Sequence, residues 1–167
     1  MKIRKMTRCA MLAALLAVCA WISVPLGDGA VSMQTFAVFL TLGLLGGRLG
    51  SATVLVYLLL GAAGLPVFSG FRGGFGVLLG PTGGYLWGFL MACLLYWAVE
   101  NRLPRWVAMI FGLLCCYACG TAWYYFAYAP GALWPVLLTC VVPYIIPDVL
   151  KLTLALIVSA KLSRLVS

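Results

Sequence analysis

The sequence predicts an all-α integral membrane protein with six transmembrane helices and both termini cytoplasmic, on three observations. Hydrophobic residues make up 65% of the 167 and charged residues 8%, with a mean hydropathy of +1.14; a soluble domain averages about a quarter charged residues. Apolar segments recur between Gly- and Pro-rich breakers. The 11 basic residues gather where those segments end. At about 20 residues per crossing, the length suits one domain over 1–167.

The first predicted helix runs from about Thr7 to Val24 and stops at the turn cluster Pro25-Leu26-Gly27-Asp28-Gly29. Lys2, Arg4, Lys5 and Arg8 precede its apolar run as in a signal peptide, but no small-residue cleavage site follows. A retained helix is expected. The second helix, about Gln34 to Gly47, is short and rich in small residues, and Gly46-Gly47-Arg48 reverses the chain into the third, about Ser51 to Leu65. A long Gly-rich loop, Pro66 to Gly84, leads to the fourth, Tyr85 to Val99. After the charged turn Glu100–Arg105 comes the fifth, about Trp106 to Tyr128. Pro135, Pro143 and Pro147 interrupt the next apolar stretch, so a lid or partly inserted element is expected there. The sixth helix is placed from Pro147, in the first-turn position that proline favours, to about Arg164.

With the N-terminus inside and six crossings, nine cations fall on the inner side: Lys2, Arg4, Lys5, Arg8, Arg48, Arg102, Arg105, Lys161 and Arg164. Two, Arg72 and Lys151, fall outside, a strong positive-inside bias. The net charge of +8 therefore reads as a device of orientation in a lipid bilayer, and nucleic acid is not an expected partner. Trp123, Tyr124, Tyr125, Tyr128 and Trp134 would form an outer interfacial belt. The seven cysteines are scattered through apolar segments, where a thiol behaves as a small hydrophobe. Cys116 and Cys119 form a single CxxC in a chain without histidine, so neither a metal nor a redox site is expected.

Only three acidic residues occur: Asp28, Glu100 and Asp148. Asp148 is followed three residues on by Lys151 and then by the apolar run Leu152–Val158. A charge at membrane depth costs several kcal/mol, so it faces a cavity, takes a partner and marks a functional site. The i, i+3 spacing puts both heads on one helical face. Such a pair can serve a ligand, the carboxylate accepting N–H groups and the ammonium meeting a carbonyl or carboxylate. It can also neutralise itself with a purely structural role. The loop 64–85 falls on the same outer face, with Phe68, Phe71, Phe75 and Tyr85 interleaved among its glycines. Glycine lets backbone approach a ligand closely. No Gly-Lys-Ser/Thr follows, so the chain carries no ATPase of its own.

The run Leu78-Leu79-Gly80-Pro81-Thr82-Gly83-Gly84-Tyr85-Leu86-Trp87-Gly88-Phe89 resembles the signature of the BioY family, the biotin-binding S components of energy-coupling factor (ECF) transporters. Three further stretches fit in order: Met33–Val38, Leu59–Phe68 and Pro147–Lys151. The resemblance spans nearly the whole chain. It implies six helices, a vitamin site near the outer surface capped by the loops after helices one and three, and location in a prokaryotic cytoplasmic membrane. By the same analogy Asp148 meets a ureido N–H of biotin, and Lys151 meets either the ureido carbonyl or the valerate carboxylate. Gln34 is a candidate for hydrogen bonding the ring, or an interfacial polar residue. Tyr85 and Phe68 are candidate walls, or core aromatics. Arg72 could steer or pair the carboxylate, or remain solvated. Gly74, Thr82 and Gly84 complete the expected substrate-binding set.

The chain shows no motor and needs no cofactor; the resemblance supplies a transmembrane T component and two ABC-type ATPases, which use ATP. Ala10/Ala14 and Ala13/Ala17 form small-xxx-small pairs on the first helix. The resemblance makes that face the T-component docking surface, and internal packing is the other reading. Gly43/Gly47 and Gly84/Gly88 read as internal contacts. Self-association is left open. A secondary carrier would show repeat symmetry or more interior charges, and an enzyme would show a His or a Ser paired with a base; neither pattern is present. An S component for another vitamin would be expected to differ around Gln34 and Asp148.

Overall fold

A computed structural model describes residues 2–26, 29–131 and 133–166; the loop acid Asp28 lies outside them. The order is α1 (Lys2–Trp21), a hairpin of β1 (Ser23–Leu26) and β2 (Gly29–Ser32), α2 (Gln34–Ala62), α3 (Phe75–Leu79), α4 (Gly83–Val99), α5 (Arg105–Ala127), α6 (Leu133–Cys140) and α7 (Val142–Val166). The strands are antiparallel, with Val24 opposite Val31. Pro25, Leu26 and Gly29 of the turn cluster expected after helix one therefore belong to the paired strands, and Gly27 and Asp28 lie outside the described residues.

Two helical arms make up α2, which bends back on itself at Gly46, whose φ of 74° favours glycine. A methyl group on Gly50 would lie 2.8 Å from the Leu42 side chain, four residues before the bend. Farther along, Gln34 reaches Tyr57. The two arms, 34–45 and 47–62, are thus antiparallel neighbours, as Gly46-Gly47-Arg48 predicted. Among the described residues, Gln34–Ala62, Arg105–Ala127 and Trp134–Ser163 are long and apolar enough to cross a membrane, and Gly83–Val99 is a shorter apolar helix.

The sixth predicted helix needs correction. It begins at Val142, and Pro147 sits in its second turn. Pro143 takes the first-turn position, where the missing N–H is not needed. Pro147 removes one intrahelical bond, and the stretch before it is the short helix α6, broken from α7 at Val141.

Small residues set the helix spacing. Gly84 meets Trp123 and Gly88 meets Cys116 across α4 and α5, Gly47 meets Trp97, and Gly43 lies against Ser159 of α7. These are the internal contacts expected of both glycine pairs. The buried cluster runs through α1, α2, α4, α5 and α7, with Leu16, Phe39, Tyr57, Phe68 and Met109 among its most enclosed side chains.

Two ends result. At one, the Trp21 indole donates to the Pro66 carbonyl at 2.7 Å and stacks on Phe71 at 4.9 Å, tying α1 to the Gly-rich loop. At the other, the Glu100 carboxylate accepts the Gly47 N–H at 2.7 Å, joining the α2 reversal to the α4–α5 turn. Arg4, Lys5 and Arg8, on the first turns of α1, lie toward this second end, as do Arg48, Arg102 and Arg105.

Candidate ligand cavity around Asp148 and Lys151

Between the hairpin, the Gly-rich loop and α4, α5 and α7 lies a cavity of ≈ 110 Å³. One water takes roughly 10–15 Å³ on that scale, so the space suits a small molecule. Val31 and Ser32 of β2 border it, as do Phe68, Ser69 and Arg72 of the loop, so the segments after the first and third predicted helices both reach it. Tyr85, Leu86 and Phe89 of α4 and Leu113, Cys116, Tyr117 and Tyr124 of α5 supply walls, and Thr139, Cys140, Tyr144, Asp148 and Lys151 supply the side formed by α6 and α7.

Asp148 and Lys151 face this cavity from one side of α7 and are 5% and 7% exposed. The Lys151 ammonium donates to Asp148 Oδ1 at 2.9 Å. The Tyr117 hydroxyl, arriving from α5, donates to Oδ2 at 2.8 Å. Each carboxylate oxygen therefore has a partner and spare lone pairs, and the ammonium has further donors. The arrangement offers an acceptor and a donor side by side in an apolar recess. Two charges out of water are costly even when paired, which makes self-stabilisation a weak reason to keep them there.

Gln34 opens α2, buried at 4% exposure, and its amide nitrogen donates to the Tyr57 hydroxyl at 2.7 Å. Tyr57 in turn donates to the Val67 carbonyl at 2.8 Å, and the Ser32 hydroxyl lies 3.3 Å from Gln34 Oε1. This chain of bonds links hairpin, both arms of α2 and loop beneath the cavity. Phe68 is cavity wall and core residue together: it is 1% exposed, meets Tyr57 edge-on at 5.6 Å, and covers Gly61, where any side chain would overlap its ring. Tyr85 lines the cavity and donates to the Cys140 carbonyl at 2.8 Å, holding the end of α6 to α4. Thr82 lines the cavity, and Arg72 reaches its rim, exposed, with Nε donating to the Ser69 carbonyl at 3.2 Å.

Gly74 and Gly84 do not border the cavity. Gly74, at φ 94°, precedes α3 and donates its N–H to the Gly61 carbonyl at 2.7 Å. Gly84 is the point where α4 touches Trp123 of α5. The alanine pairs of α1 part company: Ala13 and Ala17 are buried, whereas Ala10 and Ala14 are exposed.

Tyr117, Tyr144 and Thr35 also line the cavity, and the sequence analysis names none of them as a candidate. A weak signal existed for Tyr117, since a buried Tyr hydroxyl needs a partner and a buried Asp offers one. Cys116 faces this cavity, while its CxxC mate Cys119 borders a separate open groove beside Trp87 and Phe126.

The BioY family model matches residues 1–167. A biotin transporter BioY of Thermotoga maritima is 34% identical over 166 residues, 97% of each chain. A probable biotin transporter BioY of Pyrococcus horikoshii is 37% identical over 162 residues, 97% of this chain and 98% of that one. The crystal structure of the S-component for biotin from an ECF-type ABC transporter superposes with a TM-score of 0.87 at 25% identity, covering 98% of this chain and 92% of that chain. The S component of a bacterial ECF transporter shares the fold at a TM-score of 0.50 and 18% identity. On the whole-chain family match and these relatives, the chain belongs to the BioY family.

Proposed function

We propose that this chain is the biotin-binding S component of an ECF-type transporter and takes up biotin across a prokaryotic cytoplasmic membrane. The observation that carries the reading is the buried Tyr117–Asp148–Lys151 constellation facing a small cavity in a BioY-family chain. Asp148 accepts a ureido N–H, and Lys151 donates to the ureido carbonyl or to the valerate carboxylate, with Arg72 at the rim drawing the carboxylate in. Gln34, Thr82, Tyr85 and Phe68 shape the surroundings. Charge-assisted bonds to buried groups give affinity without ATP.

The polypeptide crosses six times: α1, the two arms of α2, α4, α5 and α7. The end bearing Arg48, Arg102 and Arg105 is cytoplasmic by the positive-inside rule, which makes the cavity end external and puts both termini inside. A T component and two ABC-type ATPases supply the energy for inward delivery. Docking uses the exposed Ala10/Ala14 face of α1, because Ala13 and Ala17 are spent on packing.

Uptake of labelled biotin by cells carrying the complete transporter, with other vitamins as competitors, tests the assignment. Only biotin and close analogues should compete; inhibition by an unrelated vitamin alone would overturn it. Ala14→Trp should leave biotin binding intact and abolish uptake, whereas Ala13→Trp should disturb folding first; wild-type uptake by Ala14→Trp would refute the docking face.

A further inference from the structure

We propose that the turn of α2 and the α4–α5 turn together form a binding site for the headgroup of an anionic phospholipid. The Glu100 carboxylate, bonded to the Gly47 N–H at 2.7 Å, and the contact of Gly47 with the Trp97 backbone fix these two turns against each other. Arg48 follows Gly47 directly, and Arg102 and Arg105 follow Glu100 within five residues. All three are exposed. Among the described residues the only ion pair is Lys151 with Asp148, so none of these three guanidinium groups is in direct contact with a carboxylate. The one acid at this end, Glu100, already accepts a backbone N–H.

Two exposed indoles flank the cluster: Trp97 in the last turn of α4, 45% exposed, and Trp106 in the first turn of α5, 57% exposed. Indoles at the ends of apolar helices sit at headgroup depth. Guanidinium groups present paired donors that match phosphate oxygens. Cations beside Trp at the ends of apolar helices fit a ligand with a phosphate head and acyl tails, such as phosphatidylglycerol, better than an acidic protein face. The inference is independent of the biotin assignment, since these residues lie at the opposite end from the cavity.

Native mass spectrometry of the purified full chain with phosphatidylglycerol and, separately, phosphatidylcholine tests the site. Wild type should retain one phosphatidylglycerol preferentially, and excess inorganic phosphate should not displace it. The triple variant Arg48→Gln/Arg102→Gln/Arg105→Gln should bind it about 100-fold more weakly, given roughly 1 kcal/mol for each of the three basic residues near an anionic surface. Arg4→Gln/Lys5→Gln/Arg8→Gln, which removes the same charge from α1, should change retention by less than about twofold if the site is local. Arg102→Lys serves where the triple variant does not fold, and should still weaken retention measurably. Equal retention of both lipids, equal loss in the α1 variant, or displacement by phosphate would each overturn the proposal. Unchanged lipid binding combined with lost association with the transporter's other subunits would overturn it too, assigning the patch to a protein partner.

Discussion

Asp148 and Glu100 are both acids in an apolar chain, and the structure uses them in opposite ways. Glu100 stands at the reversal end, half-buried, with its carboxylate on the Gly47 N–H at the start of the second arm of α2. That N–H is one of the donors a helix start leaves without an intrahelical partner, and a carboxylate there is favoured by the helix dipole. Asp148 stands at the cavity end, held by two side chains from two helices, Tyr117 of α5 and Lys151 of α7. A backbone contact closes a turn. A carboxylate held by side chains at the wall of a cavity keeps spare acceptor capacity beside that cavity, which is what a ligand site requires.

Lys151→Met should be the harsher of the mutations beside Asp148, because it leaves a buried carboxylate without its counter-charge. Biotin affinity measured on purified protein should fall about ten- to thirtyfold, the size of one charged hydrogen bond. A change under twofold would mean the pair is structural only. Tyr117→Phe keeps the ring and removes the hydroxyl that fixes Asp148, and should cost about fivefold in affinity. In an Asp148→Asn background the same change should add much less, since the partner it orients has gone; full additivity would show that Tyr117 acts elsewhere. Glu100→Gln, the smallest effect, should leave biotin affinity within about twofold while lowering the thermal midpoint by about 2–4 °C, as the loss of about 1 kcal/mol implies. A large affinity loss in that variant would erase the distinction between the two acids.

The chain declares these regions unequally in its sequence. Asp148 and Lys151 stand out because a charge inside an apolar run has few explanations, and Gly46-Gly47-Arg48 stands out because adjacent glycines with a charge interrupt an apolar pattern. Gln34, Phe68, Arg72, Thr82 and Tyr85 reach the same cavity. Tyr117 carries only a weak signal by comparison: α5 is rich in aromatics, and periodicity does not say which of them faces a carboxylate on another helix. The start of α7 differs from the expectation because Pro147 and Pro143 are both admissible first-turn residues, and the backbone begins the helix at Val142. Gly74 and Gly84 share a motif-rich stretch with cavity residues, but close packing alone accounts for glycine at Gly84 and a positive φ does so at Gly74. Composition cannot separate those uses from ligand contact.

Titration calorimetry of the purified chain with biotin, without ATP or partner subunits, tests the central claim most directly when wild type and Asp148→Asn are measured side by side. The account predicts tight one-to-one binding by wild type and an affinity about 100-fold lower for the variant, the loss of a charge-assisted bond to a buried carboxylate. Absence of biotin binding by folded wild type, or equal affinity in the two proteins, would contradict it.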